Sequence, residues 1–159
     1  MITYNKVNEE NGWLSNMSAH SINYENKIWR TAEALFQAMR FNDETIKEII
    51  RNEKSPMGAK MKSKKHKNSY AIELRSAEDI ENMKLCVKLK LEQHPDLKRR
   101  LLATGDNEIV EDIGKRNAPN HLFWGKRNTN NGWIGTNTMG KIWMEFREQL
   151  KIENLTEMN

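Results

Sequence analysis

The sequence has few of the residues from which disulfides, metal sites and flexible linkers are built. Among its 159 residues are one cysteine, three prolines and four histidines. A lone cysteine forms no internal disulfide, and the apolar helical stretch around Cys86 favours a small buried side chain over a nucleophile. Because no repeat and no Gly/Ser-rich stretch interrupts the chain, we expect one compact domain over residues 1–159.

Long apolar segments and the standard cofactor signatures are also missing. No stretch approaches the roughly 18 apolar residues of a membrane span, and the polar start at residues 1–5 lacks the core of a signal peptide. There is no Walker-type glycine loop, no GxGxxG, no HExxH and no paired CxxC. We therefore expect a cytoplasmic protein with no membrane contact, no obligate protein partner, no metal and no cofactor.

The spacing of apolar residues predicts a mostly α fold of the α+β kind, with a few short strands. Caps and helix-start prolines place the predicted helices at residues 32–41, 44–51, from 55 onward, 80–91 and 138–150. We expect the helix that includes residues 80–91 to be the longest. The last helix is expected to bury Trp143 and Phe146.

Strand signals are weak and short. The alternation in the first thirty residues predicts a hairpin that turns at Asn26, and residues 108–111 are predicted to form a strand. Residues 117–137, rich in Asn and Gly, are predicted to form a long loop. Loops of that length are uncommon unless they are functional.

On the first predicted helix, three polar side chains share one face. Glu33, Gln37 and Arg40 are spaced i, i+4 and i+7, and apolar residues occupy another face. A polar stripe bordered by apolar residues suits the wall of a cleft. The same spacing fits a solvated face on which the helix dipole favours Glu33.

Two further segments place polar groups beside aromatic rings. Ser15 and Asn16 follow a tryptophan closely, and the titratable His121 precedes Trp124. Taken locally, the first segment fits a simple turn and the second fits a core anchor with a surface histidine.

A C-terminal arginine and a run of lysines are compatible with an anionic ligand. The planar fork of Arg147 suits a phosphate or a carboxylate, and it suits a structural ion pair equally well. Five lysines form a basic run at positions 60, 62, 64, 65 and 67. With a formal net charge of +4, this run fits a pyrophosphate, a nucleic-acid backbone or an ordinary solvated surface.

Taken in order, these segments resemble the NADAR family, also called YbiA-like. The resemblance covers roughly residues 10–150. Its pieces are GWLSNM from residue 12, like GxFSNF; TAEALFQAMRF from 31, like SxEHxxQAxKF; SPMGAK from 55; LLATG from 101; IVE from 109; FWG from 123; and a run from 135 to 147 like GxNxLGKxLMxxR. The resemblance implies a mostly helical YbiA-like domain and a metal-independent hydrolase of N-glycosidic bonds.

The resemblance also assigns positions. Glu33 matches the family's glutamate, Lys60 its lysine, and Trp124 the tryptophan before its glycine. The other matched or neighbouring polar positions are taken as substrate-binding candidates: Ser15, Asn16, Gln37, Asn137 and Arg147. Three positions depart from the family pattern, with Ala34 in place of His, His121 in place of Asp, and Arg75 in place of Trp.

Cleavage at an anomeric carbon passes through an oxocarbenium-like state, which needs a nearby negative group, a positioned water and a proton donor for the departing nitrogen. Glu33 fits the negative group or the positioning of water. His121 would protonate the leaving base, and Trp124 would stack on it. Lys60 would bind phosphate oxygens or, if neutral, act covalently through an opened sugar. The chemistry requires the following residues to line one pocket: Ser15, Asn16, Glu33, Lys60, Trp124 and Asn137.

Three functions compete. The family match and the lysine run favour removal of ADP-ribose from a modified nucleobase in RNA or DNA. The alternative substrate is a phosphoribosylamino-pyrimidine intermediate of riboflavin synthesis, in which case the lysines are ordinary surface. The third hypothesis, motivated by Ala34 and His121, is a non-catalytic module that binds ADP-ribose or nucleic acid. The presence of Glu33, Lys60 and Trp124 argues against that third hypothesis.

Overall fold

The computed structural model describes residues 1–158, and over this range the chain forms α-helices joined by short strands. In chain order they are β1 (Ile2–Tyr4), β2 (Ile22–Tyr24), β3 (Lys27–Trp29), α1 (Ala32–Ala38), α2 (Glu44–Arg51), α3 (Pro56–Lys65), α4 (Ala77–Gln93), α5 (Pro95–Ala103), β4 (Ile109–Glu111), α6 (Pro119–Trp124), β5 (Arg127–Thr129), β6 (Gly132–Ile134) and α7 (Thr138–Met158). The predicted mostly helical fold is confirmed. The chain divides into two compact units, one of residues 16–93 and one of residues 1–15 and 94 onward.

In the unit of residues 16–93, helices α1, α2 and α3 pack against one another, and α4 packs against α1. The helix starts expected at residue 32 and from residue 55 onward are confirmed. The Thr31 hydroxyl accepts a hydrogen bond from the Ala34 N–H at 3.1 Å, and the Ser55 hydroxyl accepts one from the Gly58 N–H at 2.9 Å. Such N-caps satisfy backbone donors that a helix leaves unpaired in its first turn.

Helix α1 ends at Ala38, earlier than the predicted residue 41. The following N–H groups of Arg40 and Phe41 bond to the carbonyls three residues back, at 3.3 and 3.1 Å. This tighter, 3-10-like pattern closes the helix. Arg40 therefore lies just after the end of α1. Its side chain still reaches Gln37, to which it donates a hydrogen bond.

The predicted hairpin is confirmed as β2 paired antiparallel with β3. Its two turn residues, Glu25 and Asn26, have φ angles of 51° and 65°. Both lie in the left-handed region that two-residue hairpin turns require and that asparagine tolerates well. The Gln93 side chain at the end of α4 then accepts from the Asn23 N–H at 2.7 Å and donates to its carbonyl at 2.8 Å, which fixes the hairpin on α4.

The other unit is built on the C-terminal helix. β1 pairs in parallel with β4, and α5, α6 and β4 all pack against α7. Trp143 is fully buried, as predicted, and its indole N–H donates to the Leu14 carbonyl at 3.1 Å. Phe146, predicted to be buried as well, is only half-buried.

Two expectations about segment lengths are wrong. Helix α7 has 21 residues against 17 in α4, so the longest helix is the C-terminal one. It continues past residue 150 because the following stretch holds no glycine or proline to end it. Residues 117–137 are also no simple loop. Pro119 opens α6, and β5 pairs antiparallel with β6 through a turn that ends at Gly132, with φ 106°.

Over the described residues, the structure contains no helix with the length and the apolar character that crossing a membrane requires.

Close approach between α7 and β4 depends on Gly140. A Cβ atom at this position would collide with the Ile109 carbonyl oxygen and the Asn137 amide nitrogen. We expect Gly140→Ala to lower the free energy of unfolding by about 1–3 kcal/mol, because packed backbone has no room to yield. Urea unfolding measures this change. Lys141→Ala at the exposed neighbouring position is the control, and equal stability of both variants would contradict the close contact.

Candidate active site

Glu33 lies in the first turn of α1 with only 8% of its surface exposed. Its backbone N–H donates to the Asn16 carbonyl at 3.0 Å, and its carboxylate oxygen Oε1 accepts from Gln37 Nε2 at 2.9 Å. The structure thus brings together three of the predicted site residues, Asn16, Glu33 and Gln37. Asn16 is held further by its side-chain Nδ2, which lies 2.9 Å from the Met83 sulfur.

The polar stripe of α1 is enclosed by protein. Gln37 is 4% and Arg40 5% exposed, which excludes the solvated face that the same spacing allowed. Arg40 donates through Nη1 to the Gln37 oxygen at 3.3 Å, and through Nε and Nη2 to both oxygens of Asp79 at 2.9 and 2.8 Å. Its guanidinium carbon lies 4.5 Å from the centroid of the Phe36 ring, a cation–π contact.

Lys60 is half-buried on α3, and this helix packs against α1, which carries Glu33. The inner face of α3 is formed by Ala59 and Ser63, both fully buried. Most lysines of the run after Lys60 are exposed to solvent. Lys64, Lys65 and Lys67 are exposed, whereas Lys62 lies 3.8 Å from a carboxylate oxygen of Glu53.

Lys90 is a buried charged residue that sequence reasoning missed. It is 0% exposed, and its ammonium nitrogen donates to the Ser18 hydroxyl at 2.8 Å; that hydroxyl lies 2.8 Å from His20 Nδ1. Burial lowers the pKa of Lys90 to about 7. The available signal was a lysine placed between Val87 and Leu91 on an otherwise apolar helix face.

Because Lys90 is buried, the free energy of unfolding depends on pH in the alkaline range. Its pKa is about 7 in the folded chain against an ordinary 10.5, so the unfolded chain binds more protons between these values. The free energy of unfolding therefore rises with pH across this window. Since a tenfold change in proton affinity is worth about 1.4 kcal/mol, the rise amounts to several kcal/mol. We expect Lys90→Met to remove it, as measured by urea unfolding at a series of pH values.

The difference between the wild-type and Lys90→Met curves isolates this residue from other titrating groups. One of these is Cys86, whose raised pKa acts in the opposite direction at alkaline pH. Lys88→Met, at an exposed position of the same helix, is the matched control and should leave the pH dependence unchanged. Parallel curves for wild type and Lys90→Met would contradict the buried amine.

Cys86 is fully buried on α4. Burial, and secondly the negative charge of Glu33, raise the pKa of its thiol far above the ordinary value. A thiol in this state is a poor nucleophile, which agrees with the small buried side chain expected from the sequence.

In the second unit, Trp124 and Asn137 lie close together. Trp124 is 7% exposed at the end of α6, and its ring packs edge-on against Phe123 at 4.8 Å between centroids. The carbonyl of the next residue, Gly125, accepts from the Asn137 N–H at 3.1 Å. Asn137 is 1% exposed and uses its whole side chain on β4, donating to the Ile109 carbonyl at 2.9 Å and accepting from the Glu111 N–H at 3.1 Å.

The remaining candidates of this unit are His121, Ser15 and Arg147. His121 is half-buried on α6, one turn before Trp124, and Ser15 is 7% exposed at the end of a 3-10 turn. Arg147 is 6% exposed and donates to the Thr104 hydroxyl at 2.9 Å and the Asn107 carbonyl at 2.8 Å, at the end of α5. It lies about 15 Å along α7 from Asn137.

The unit of residues 16–93 therefore holds the fixed, buried carboxylate of Glu33. The other unit holds the Trp124 ring and the His121 imidazole one helical turn apart. A carboxylate supplies the negative charge that an oxocarbenium-like state needs. Within residues 1–158, no group of three or more His, Cys, Asp and Glu side chains has an arrangement that would hold a metal ion. The convergence of the six pocket residues stays a prediction.

Comparison with known proteins gives consistent matches along almost the whole chain. The N-glycosidase YbiA of Shigella boydii is 34% identical over 153 residues, which are 96% of this chain and 90% of that protein. A riboflavin biosynthesis protein of Vibrio vulnificus is 28% identical over 94% of this chain and 38% of its own length. The NMR structure of Escherichia coli YbiA superposes with a TM-score of 0.72 and 34% identity, covering 97% of this chain and 88% of that one.

The solved YbiA structure shares its fold with this chain, and the two YbiA proteins match it over nearly their full length. The NADAR domain family matches residues 3–151. That span includes every candidate site residue described above. The chain belongs to the NADAR domain family.

Proposed function

We propose that this protein is an N-glycosidase that removes ADP-ribose from a modified nucleobase in RNA or DNA. The observation that carries the proposal is the Glu33 carboxylate, which is 8% exposed and fixed through Oε1 by Gln37 at 2.9 Å. A carboxylate enclosed by protein stabilises positive charge far better than one in water, because little solvent screens it. Relatives named N-glycosidases over almost the whole chain support the same reaction class.

The proposed reaction is a hydrolysis. The bond between the anomeric carbon and the base nitrogen breaks with its electron pair going to nitrogen, and a water oxygen bonds to the anomeric carbon. One proton of that water ends on the departing nitrogen, so no oxidant or cofactor enters the balance. Glu33 stabilises the developing positive charge or orients the water. The role of Trp124 as stacking surface is a prediction from its family position, and the role of His121 as proton donor is a prediction from its titratable imidazole at a position where the family pattern has Asp.

A polymeric substrate is favoured by the lysines at the end of α3. Lys64 and Lys65 are exposed at the end of the helix that carries Lys60, and Lys67 is exposed two residues beyond that end. Exposed lysines in a short run neutralise successive phosphates of a strand and release its counterions. A mononucleotide-sized substrate would leave most of this positive charge without a ligand.

The second candidate substrate is a phosphoribosylamino-pyrimidine intermediate. Its support is the riboflavin biosynthesis protein of Vibrio vulnificus, which matches 94% of this chain. The bond cleaved is again an N-glycosidic bond, so Glu33 would keep its role. The lysines of α3 would then be ordinary solvated surface.

Mass spectrometry tests both substrates directly. The protein is incubated with an ADP-ribosylated oligonucleotide and, separately, with the pyrimidine intermediate, and the released sugar is identified. We expect ADP-ribose and an intact, unmodified oligonucleotide from the first reaction. Release from the pyrimidine alone would establish the second candidate. Tight binding of the modified oligonucleotide without release from either substrate would establish the non-catalytic module.

A further inference from the structure

Four buried side chains of the unit of residues 16–93 form a continuous hydrogen-bonded chain. It runs from Asp79 on α4 through Arg40 and Gln37 to Glu33 on α1. Each member is at most 8% exposed, and Asp79 is 0% exposed. The four residues are called the Glu33 relay below.

The chemistry of each member fixes the direction of the relay. An arginine has only donors, so the amide atom of Gln37 that faces Arg40 is the oxygen. The amide nitrogen therefore faces Glu33, where it also only donates. The Glu33 oxygen Oε1 therefore accepts this hydrogen bond.

The far end of the relay is anchored on the start of α4. Asp79 Oδ2 accepts from the Arg75 N–H at 2.8 Å in addition to Arg40, and the Asp79 N–H donates to the Ser76 hydroxyl at 3.3 Å. Arg75 reaches this position with a φ angle of 60°, in the left-handed region. Because both oxygens of Asp79 are occupied, Arg40 has one stable orientation and cannot turn away from Gln37.

The buried ion pair between Arg40 and Asp79 is not explained by a gain in folding stability. The cost of desolvating two charges often equals or exceeds their attraction, and apolar residues of similar volume commonly replace such pairs without loss. Placed one amide group away from a carboxylate in the candidate active site, the pair has a use that an apolar pair would not have. It dictates which atom of Gln37 meets Glu33.

We propose that Asp79, Arg40 and Gln37 are positioning residues that hold Glu33 by Oε1 and leave Oε2 to face the reacting sugar. This inference rests on the proposed function, in which Glu33 acts on the substrate. It assigns Gln37 to positioning, in place of the substrate-binding role predicted for it. The benefit comes from a carboxylate that needs no reorientation when charge develops.

Steady-state kinetics on the substrate that is turned over tests the relay. We expect Gln37→Met to lower kcat by about 10–100-fold with KM within about twofold, since misplacement of a reacting group costs rate rather than binding. In a Glu33→Gln background the same change should lower kcat less than about twofold further. A merely structural role would lower the unfolding temperature and leave the kcat of the folded protein unchanged.

Removing Arg40 alone would leave the charge of Asp79 buried without its cation and would strongly destabilise the fold, so both charges are removed together. The double variant Arg40→Met/Asp79→Leu should stay folded and still lose at least about tenfold in kcat, because the Gln37 amide is then able to turn over. Arg51→Met, which breaks a partly buried ion pair with Glu48 on α2, is the matched control and should keep its kcat.

A second measurement requires no turnover. In NMR spectra, the side-chain amide protons of Gln37 should exchange with solvent at least about tenfold more slowly than those of the exposed Gln149. This protection should disappear in Arg40→Met/Asp79→Leu. Equal exchange of the two glutamines in the wild type would overturn the relay.

The outcomes separate the relay from the proposed function. Loss of kcat in Glu33→Gln together with a fully active Gln37→Met would overturn the relay and leave the function intact. Full activity of Glu33→Gln would overturn the catalytic role of Glu33 and the relay with it.

Discussion

Glu33→Gln is expected to lower the turnover of the N-glycosidic substrate by roughly 10²–10⁴-fold while KM stays within about twofold. The positive charge that the carboxylate stabilises exists only in the transition state, so its loss affects kcat and hardly affects substrate binding. The glutamine has the same shape, and its carbonyl oxygen still accepts from Gln37 Nε2, which lies 2.9 Å from Oε1 in the native chain. Initial-rate measurements over a range of substrate concentrations separate the two parameters.

The control for this change is Glu44→Gln, at an exposed position of α2. It removes one negative charge from the same unit without touching the relay, and its kcat should equal that of the wild type. A fully active Glu33→Gln protein would refute the catalytic role. A variant with unchanged kcat and a much raised KM would instead make Glu33 a binding residue.

Replacing Lys64, Lys65 and Lys67 together by alanine is expected to weaken binding of a modified oligonucleotide and to flatten its salt dependence. Each phosphate contact that is lost removes about one from the slope of log K against log salt concentration. The slope should therefore fall by up to about three for a strand that contacts all three lysines. Fluorescence anisotropy with a labelled oligonucleotide at several salt concentrations measures it.

The matched control is the triple variant Lys6→Ala, Lys88→Ala and Lys115→Ala, which removes three exposed positive charges outside α3. It should leave most of the slope intact, because net charge alone does not place a lysine against a phosphate. The α3 variant should also keep its activity on the pyrimidine intermediate. Equal losses on the oligonucleotide and on the small substrate would contradict a strand-binding role and favour the small-molecule reaction.

The starts of α1 and α3 and the turn between β2 and β3 were the parts of the fold most open to prediction. Thr31, Ser55 and Asn26 act through atoms within three residues of themselves, so the caps and the hairpin turn follow from local sequence. Ends and long segments were less predictable. The run after residue 150 has nothing to stop α7, and the Asn-rich stretch between 117 and 137 has two competing readings, as a loop or as a short helix and hairpin.

Only those contacts of the candidate site that join residues close in sequence could be predicted. Glu33 and Gln37 are one helical turn apart, so their shared face could be predicted from spacing. Asp79 lies 39 residues from Arg40, and the local sequence shows only that it follows Ser76 by three residues, a spacing typical of a helix cap. The local sequence therefore indicates the place of Asp79 at a helix start. Its ion pair with Arg40 depends on tertiary packing and could not be predicted from local sequence. Lys90 was missed because an apolar helix face normally excludes a charge.

In the proposed function, the bond that is cleaved belongs to a nucleobase that carries ADP-ribose in a strand. The most direct measurement compares kcat/KM of the wild-type protein on an ADP-ribosylated oligonucleotide with kcat/KM on the phosphoribosylamino-pyrimidine intermediate, under identical conditions, by mass spectrometry of the released sugar. We predict that the oligonucleotide is preferred by at least about 100-fold, the size expected when several phosphate contacts contribute. A preference of similar size for the pyrimidine intermediate would contradict the proposed substrate.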